Sequence, residues 1–169
     1  MKSNENEVLT AVYKTDVGNL QITCKGNAVI GILLTEKPQR RQKGSYAETV
    51  YAQIREYLNG QRKEFNLNTE FDTHGFSERV WREISKIPYG ETVSYSEIAG
   101  RMGNPSAVRA VGSACRRNPM VIVVPCHRVI GKNGNIMGYV NGVEMKRRLL
   151  NIEMKHRLFN IEQGFYGNE

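Results

Sequence analysis

Tyr95-Ser96-Glu97-Ile98-Ala99-Gly100-Arg101-Met102-Gly103-Asn104-Pro105-Ser106-Ala107-Val108-Arg109-Ala110-Val111-Gly112-Ser113-Ala114-Cys115-Arg116-Arg117 decides the architecture. It predicts two helices, Tyr95 to Met102 and Ala107 to Arg116. The turn Gly103-Asn104-Pro105 separates them, and Ser106 is the expected N-cap of the second. That second helix carries Ala107, Ala110, Gly112, Ser113 and Ala114, so it can lie close against another surface. Arg109, Arg116 and Arg117 add positive charge. A short helix, a tight turn and a small-residue helix with arginines follow helix-turn-helix logic. Many helix pairs share that pattern without touching nucleic acid.

Downstream, Asn118-Pro119 closes the second helix, and Met120 to Val124 reads as an apolar strand. Pro125-Cys126-His127-Arg128-Val129-Ile130 follows, then a glycine-rich loop from Gly131 to Gly142 and an amphipathic helix from Val143 to Ile152. The phrase Arg148 to Glu153 returns in altered form as Arg157 to Glu162, and two copies do not make a repeat architecture. Upstream, Phe76, Val80, Ile84 and Ile87 share one face of a helix that Pro88-Tyr89-Gly90 ends. Val50, Ile54 and Leu58 mark an earlier helix stopping near Gly60, and Phe65 to Phe71 is an extended bridge. The charged run Lys37 to Gly44 reads as a solvated basic loop. Before it come three apolar runs, Val8 to Tyr13, Leu20 to Cys24 and Ala28 to Leu34, separated by short turns. They predict an antiparallel meander. The fold class is therefore α+β: an N-terminal antiparallel-sheet lobe over residues 1–72 and a mostly helical lobe over 73–169.

Of 169 residues, 40% are hydrophobic, enough for a real core. Lys and Arg number 24 against 17 Asp and Glu, a net charge of +7, which suits a polyanionic partner. No stretch approaches the roughly 20 apolar residues of a membrane helix. Met1 to Val8 lacks the apolar segment of a secretion signal, so a cytoplasmic location without membrane association is expected. The three cysteines, Cys24, Cys115 and Cys126, are an odd number and cannot make a complete disulfide framework.

Cys126 sits between Pro125, which restricts the backbone, and His127. A free thiol with a pKa of roughly 8.5 is mostly protonated at neutral pH, so a nucleophilic cysteine needs a proton acceptor nearby. His127 is the candidate. Neighbours on a regular strand point to opposite faces, so the pair needs a turn at Cys126 or a bridging water. Glu153 is a candidate to orient the imidazole, although spacing alone cannot place it. The alternative is a buried structural thiol, a common fate of free cysteine. Metal binding has little support, because there is no Cys-x-x-Cys and the three histidines are scattered.

Pro125-Cys126-His127-Arg128-Val129, preceded by Arg117-Asn118-Pro119, resembles the active-site signature of the O6-alkylguanine-DNA alkyltransferases. Ile87 to Tyr95 resembles the family segment leading into its helix-turn-helix. Asn104-Pro105 and Arg109 to Gly112 resemble its recognition helix, and Lys146 to Glu153 its closing helix. The resemblance runs from about Phe76 to Glu153, is looser over the N-terminal strands and leaves the tail uncovered.

It implies an RNase H-like N-terminal lobe and a winged helix-turn-helix. It also implies irreversible alkyl transfer from O6-alkylguanine, and from O4-alkylthymine, in double-stranded DNA to Cys126. The reaction runs once, after nucleotide flipping, without a cofactor or metal, in a monomer. By the same resemblance His127 takes the thiol proton through a water, Glu153 orients it, and Tyr95 donates to the departing guanine. Arg109 enters the base stack. Ser94, Ala107, Ala110, Gly112 and Arg116 meet the DNA. Asn118 ties the recognition helix to the active-site segment, and Val124, Tyr139 and Val140 read the base edge. Two positions depart from the family: Met137 stands where relatives usually carry a smaller residue, and Cys115, near the site, reads as packing.

Three rivals follow from the same residues: a helix-turn-helix regulator with an inert cysteine, a relative that only binds alkylated DNA, and a cysteine hydrolase. The first leaves the Cys126-His127 context unexplained. The second lacks a reactive cysteine. The third has no use for the helix pair.

Overall fold

A computed structural model describes residues 6–165, with side chains described as far as Lys155. Strands β1 (Val8–Thr15), β2 (Gly18–Lys25) and β3 (Ala28–Thr35) form an antiparallel sheet in the order β1-β2-β3. Ala11 faces Ile22 and Tyr13 faces Leu20 in register, so one sheet face is apolar and buried. Helix α1 (Tyr46–Leu58) covers that face with Ala47, Val50, Ile54 and Tyr57. Its end is set by Gly60, whose φ of 74° costs little without a Cβ.

The second lobe begins with α2 (Phe76–Ile84), two-residue strand β4 (Val93–Ser94), α3 (Tyr95–Arg101) and α4 (Val108–Arg116). β5 (Val129–Ile130) pairs in parallel with β4, and α5 (Val143–Phe165) closes the fold. Ser94 and Glu97 form a reciprocal capping box that starts α3. Backbone bonds join the lobes: Ile32 N–H donates to the Pro119 carbonyl at 2.8 Å, and Val121 N–H to the Ile32 carbonyl at 3.0 Å.

Four local expectations are corrected. Met120 to Val124 is not a strand; only Met120 bridges β3, and the chain then turns through Ile122 at φ 74°. A β-branched residue there is strained, and the neighbours that bury it must hold it in place. Helix α2 stops at Ile84 rather than Ile87. Pro88 disfavours helical geometry at Ile87, and the chain tightens into i→i−3 bonds, Lys86 N–H to Glu83 and Ile87 N–H to Ile84. Ser106 does not cap α4; its hydroxyl bonds Asn104 Oδ1 at 2.8 Å, and Ala107 occupies the cap position. The closing helix runs past Ile152 to Phe165, and the side chains of the second phrase, Arg157 to Glu162, lie outside those described.

Candidate active site

Cys126 opens a single 3-10 turn, Cys126–Arg128, not the end of a strand. Cys126 and His127 are therefore not a strand pair with side chains on opposite faces. The turn holds Cys126, His127 and Arg128 at 1%, 0% and 7% exposure. Behind it Glu153, on α5, is completely buried. Glu153 Oε1 accepts from His127 Nε2 at 2.8 Å, from the Tyr57 hydroxyl and from Arg128 Nη2 at 3.0 Å. Its Oε2 accepts from Arg128 Nε at 3.1 Å and from the Gly90 amide at 3.0 Å. Arg128 also donates to the Ile87 carbonyl. A buried carboxylate persists only with such partners. Burial alone would raise the Glu153 pKa; the bonds from His127 and Arg128 outweigh it and bring the carboxyl to about 2.

With Glu153 ionised, the network assigns the His127 proton to Nε2. Nδ1 then carries the free lone pair, and among the described residues it has no hydrogen-bond partner. Burial pulls the His127 pKa down despite Glu153, so the imidazole is neutral and able to accept a proton. Burial pushes the Cys126 thiol up, while Lys146 and Asn118 act in the other direction. The resting pair is therefore neutral thiol and neutral base.

Lys146 is fully buried, and among the described residues it forms no ion pair with a carboxylate. Its Nζ donates to the Val129 carbonyl, to Met137 O at 2.9 Å, to Gly138 O at 3.3 Å and to the Tyr95 hydroxyl at 3.2 Å. One ammonium thus ties the glycine-rich loop to β5 and α3. The Tyr95 hydroxyl in turn donates to Met137 O at 3.3 Å. Burial raises the Tyr95 pKa to about 12, so it is a neutral donor.

A cavity of about 560 Å³ opens in front of Cys126. Of the expected residues, Cys126, Tyr95, Arg109, Gly112, Arg116 and Tyr139 line it, as does Met137, 58% exposed. Ala110 and Arg116 are exposed on α4 beside Arg109, and Ala107 is half-buried at its start. Val140 lies in the loop without lining the cavity.

Three assignments change. Ser94 is buried and its hydroxyl accepts the Glu97 amide at 3.1 Å, so it starts α3 beneath Tyr95 and does not present itself as a DNA contact. Val124 is occupied internally: its carbonyl accepts from Asn118 Nδ2 at 2.9 Å and from the Cys126 amide at 2.8 Å, and its own amide donates to Met120. It has no free backbone group for a base edge. Cys115 is not mere packing, because it lines the cavity together with Cys126.

Tyr57, Arg128 and Lys146 are site residues that sequence reasoning did not single out. Arg128 and Lys146 lie inside the segments that carried the resemblance. Tyr57 gave no signal, because an aromatic three residues after Ile54 reads as core. Among the described residues no cluster of three or more His, Cys, Asp or Glu could hold a metal, and no helix is long and apolar enough to cross a membrane.

Two predictions arise from this geometry. Asn118 bonds the Val124 carbonyl with Nδ2 and the Met120 amide with Oδ1, both buried. Asn118→Ala leaves the Met120 amide unpaired and the Val124 carbonyl with only the Cys126 amide, so unfolding in denaturant is expected to show a loss of roughly 1–3 kcal/mol. Acid should also unfold the protein in two overlapping stages. His127 has its folded pKa depressed, so stability falls as pH drops below about 6.5, where the unfolded imidazole takes its proton first. Glu153 is depressed too, and its contribution is lost between about 4.3 and about 2. A Glu153→Gln variant should lack the lower stage in a pH series of melting curves.

The chain matches two family models: residues 8–71 the ribonuclease-like domain of 6-O-methylguanine DNA methyltransferase, and residues 75–155 its DNA binding domain. It is 39% identical over 143 residues to the methylated-DNA–protein-cysteine methyltransferase of Mycobacterium bovis, covering 80% of this chain and 86% of that one. It is 50% identical over 105 residues to the inducible enzyme of that name from Bacillus subtilis, covering 62% of this chain and 59% of the relative. The crystal structure of Mycobacterium tuberculosis OGT in complex with DNA superposes with a TM-score of 0.79 at 37% identity, covering 86% of this chain and 92% of that one.

Proposed function

The chain belongs to the methylated-DNA–protein-cysteine methyltransferase family, and from that premise we propose that it repairs O6-alkylguanine in double-stranded DNA by transferring the alkyl group to Cys126. The observation that carries this reading is the buried chain from the Cys126 turn through His127 to Glu153 at the floor of an open cavity. His127 Nδ1 takes the thiol proton through a water, and Glu153, itself held by Tyr57 and Arg128, keeps that nitrogen unprotonated. The thiolate attacks the alkyl carbon, the carbon–oxygen bond breaks, and the electron pair leaves on guanine. Tyr95, released from Met137 O, donates to the departing base.

Because thioether formation is not readily reversed, each molecule acts once. The same chemistry extends to O4-alkylthymine and needs no cofactor or metal. The exposed α4 face with Arg109, Ala110 and Arg116 suits the minor groove, where small residues permit close approach. Arg109 fills the stack after the base flips. Tyr139 and Val140 contact the base. A boundary between residues 72 and 73 separates the supporting lobe from the DNA-binding lobe. The protein acts as a monomer in the cytoplasm, where its three free cysteines stay reduced.

Intact mass after mixing with a duplex carrying O6-methylguanine tests this. One added methyl, about 14 Da and localised to Cys126, is expected from a thiol nucleophile, with none in Cys126→Ser. Lesion binding without the mass change would make the protein a binder of damage, and loss of both would end the repair reading.

A further inference from the structure

Cys115 lies in the last turn of α4 and Cys126 begins the 3-10 turn, yet both line one cavity, close enough that each influences the other's ionisation. Both are free and buried, at 6% and 1% exposure. Asn118 holds the connecting segment through the Val124 carbonyl and the Met120 amide. The Lys146 ammonium favours the thiolate at either sulfur. Cys24, on β2 in the sheet lobe, has no place in this arrangement. Two adjacent thiols near a cation, reached by a cavity that admits small molecules, are the setting in which oxidation ends in a disulfide.

We propose that Cys115 and Cys126 form an oxidative modification site that takes a small hydroperoxide and becomes a disulfide. One sulfur attacks a peroxide oxygen; the O–O bond breaks, and the first water leaves with a sulfenic acid left behind. The second sulfur attacks the sulfenic sulfur, the S–S bond forms, the S–O bond breaks and a second water leaves. Two thiols and one hydrogen peroxide give one disulfide and two waters; the sulfurs lose two electrons and the peroxide gains them. The disulfide masks Cys126 reversibly and diverts it from sulfinic acid, which thiol reductants do not recover. The masking rests on Cys126 being the alkyl acceptor; the cross-link does not.

The test treats the full chain with hydrogen peroxide, blocks remaining thiols and maps the peptides without reduction. Expected is a loss of about 2 Da, as for disulfide formation, with a Cys115–Cys126 linked peptide. Methyl uptake from an O6-methylguanine duplex should fall in parallel and return after dithiothreitol. Cys24→Ser should form the same linked peptide. In Cys115→Ser and Cys115→Ala, each checked by its melting curve, excess peroxide should carry Cys126 through sulfenic to sulfinic acid, a gain of about 32 Da, and the uptake lost with it should not return with dithiothreitol. Absence of the linked peptide in the parent protein, or an equal gain of about 32 Da at Cys126 in the parent and in both Cys115 variants, overturns the proposal. A linked peptide in a protein that never accepts a methyl group would overturn the repair reading alone.

Discussion

Glu153→Ala is expected to be the most damaging single change outside Cys126. It leaves the Arg128 guanidinium, the His127 ring, the Tyr57 hydroxyl and the Gly90 amide facing a void. Removing one partner of a buried ion pair costs about 3–5 kcal/mol, because the other charge stays desolvated. The chemistry suffers separately. Without the carboxylate, Nε2 no longer has to carry the proton, and the tautomer with Nδ1–H cannot accept from Cys126. Single-turnover methyl transfer should fall by on the order of 10⁴-fold, as when a triad loses the group that sets its histidine tautomer. Glu153→Gln separates the two effects. It keeps an acceptor for Nε2–H but loses the charge against Arg128. A Gln variant that transfers at the parent rate would show that the carboxylate does not orient the base.

Lys146→Met should produce the second-largest loss. The methionine fills similar volume but removes the buried positive charge and four donated bonds. Losing a preorganised electrostatic group in a dry site lowers a rate by on the order of 10². The pH dependence carries the distinguishing sign. Burial raises the Cys126 pKa and Lys146 opposes that, so the variant thiol should need a higher pH to ionise. The transfer rate should therefore rise with pH over a range displaced upward from the parent's, with part of the deficit recovered in alkali. An unshifted profile with a uniformly lower rate would reduce Lys146 to a tie for the loop.

The sheet and helix order were legible because alternation in Leu20 to Cys24 and helical spacing in Val50 to Leu58 are local signals. Met120 to Val124 failed for the opposite reason. Its apolar, β-branched composition matches a strand, but bonds from Asn118 and β3 impose a turn that no local preference announces. Of the residues proposed by resemblance, His127 and Glu153 meet in space beside the Cys126 turn, whereas Tyr57 was invisible. Its hydroxyl acts 70 positions from His127 and 96 from Glu153, and only the docking of α1 against the turn makes it polar in function. Ser94 and Val124 show that a motif gives a residue's address without saying which of its hydrogen bonds are already taken.

The Tyr57 hydroxyl has a consequence for engineering. Since α1 completes the support of the reactive turn from the other lobe, through Tyr57 to Glu153, the two lobes could be engineered as a coincidence detector. Severed in the segment between Phe71 and Phe76, the halves of the chain would regain full chemical competence only on finding one another. A labelled alkyl donor would then leave a permanent covalent record of each such meeting, a memory that persists after the halves separate.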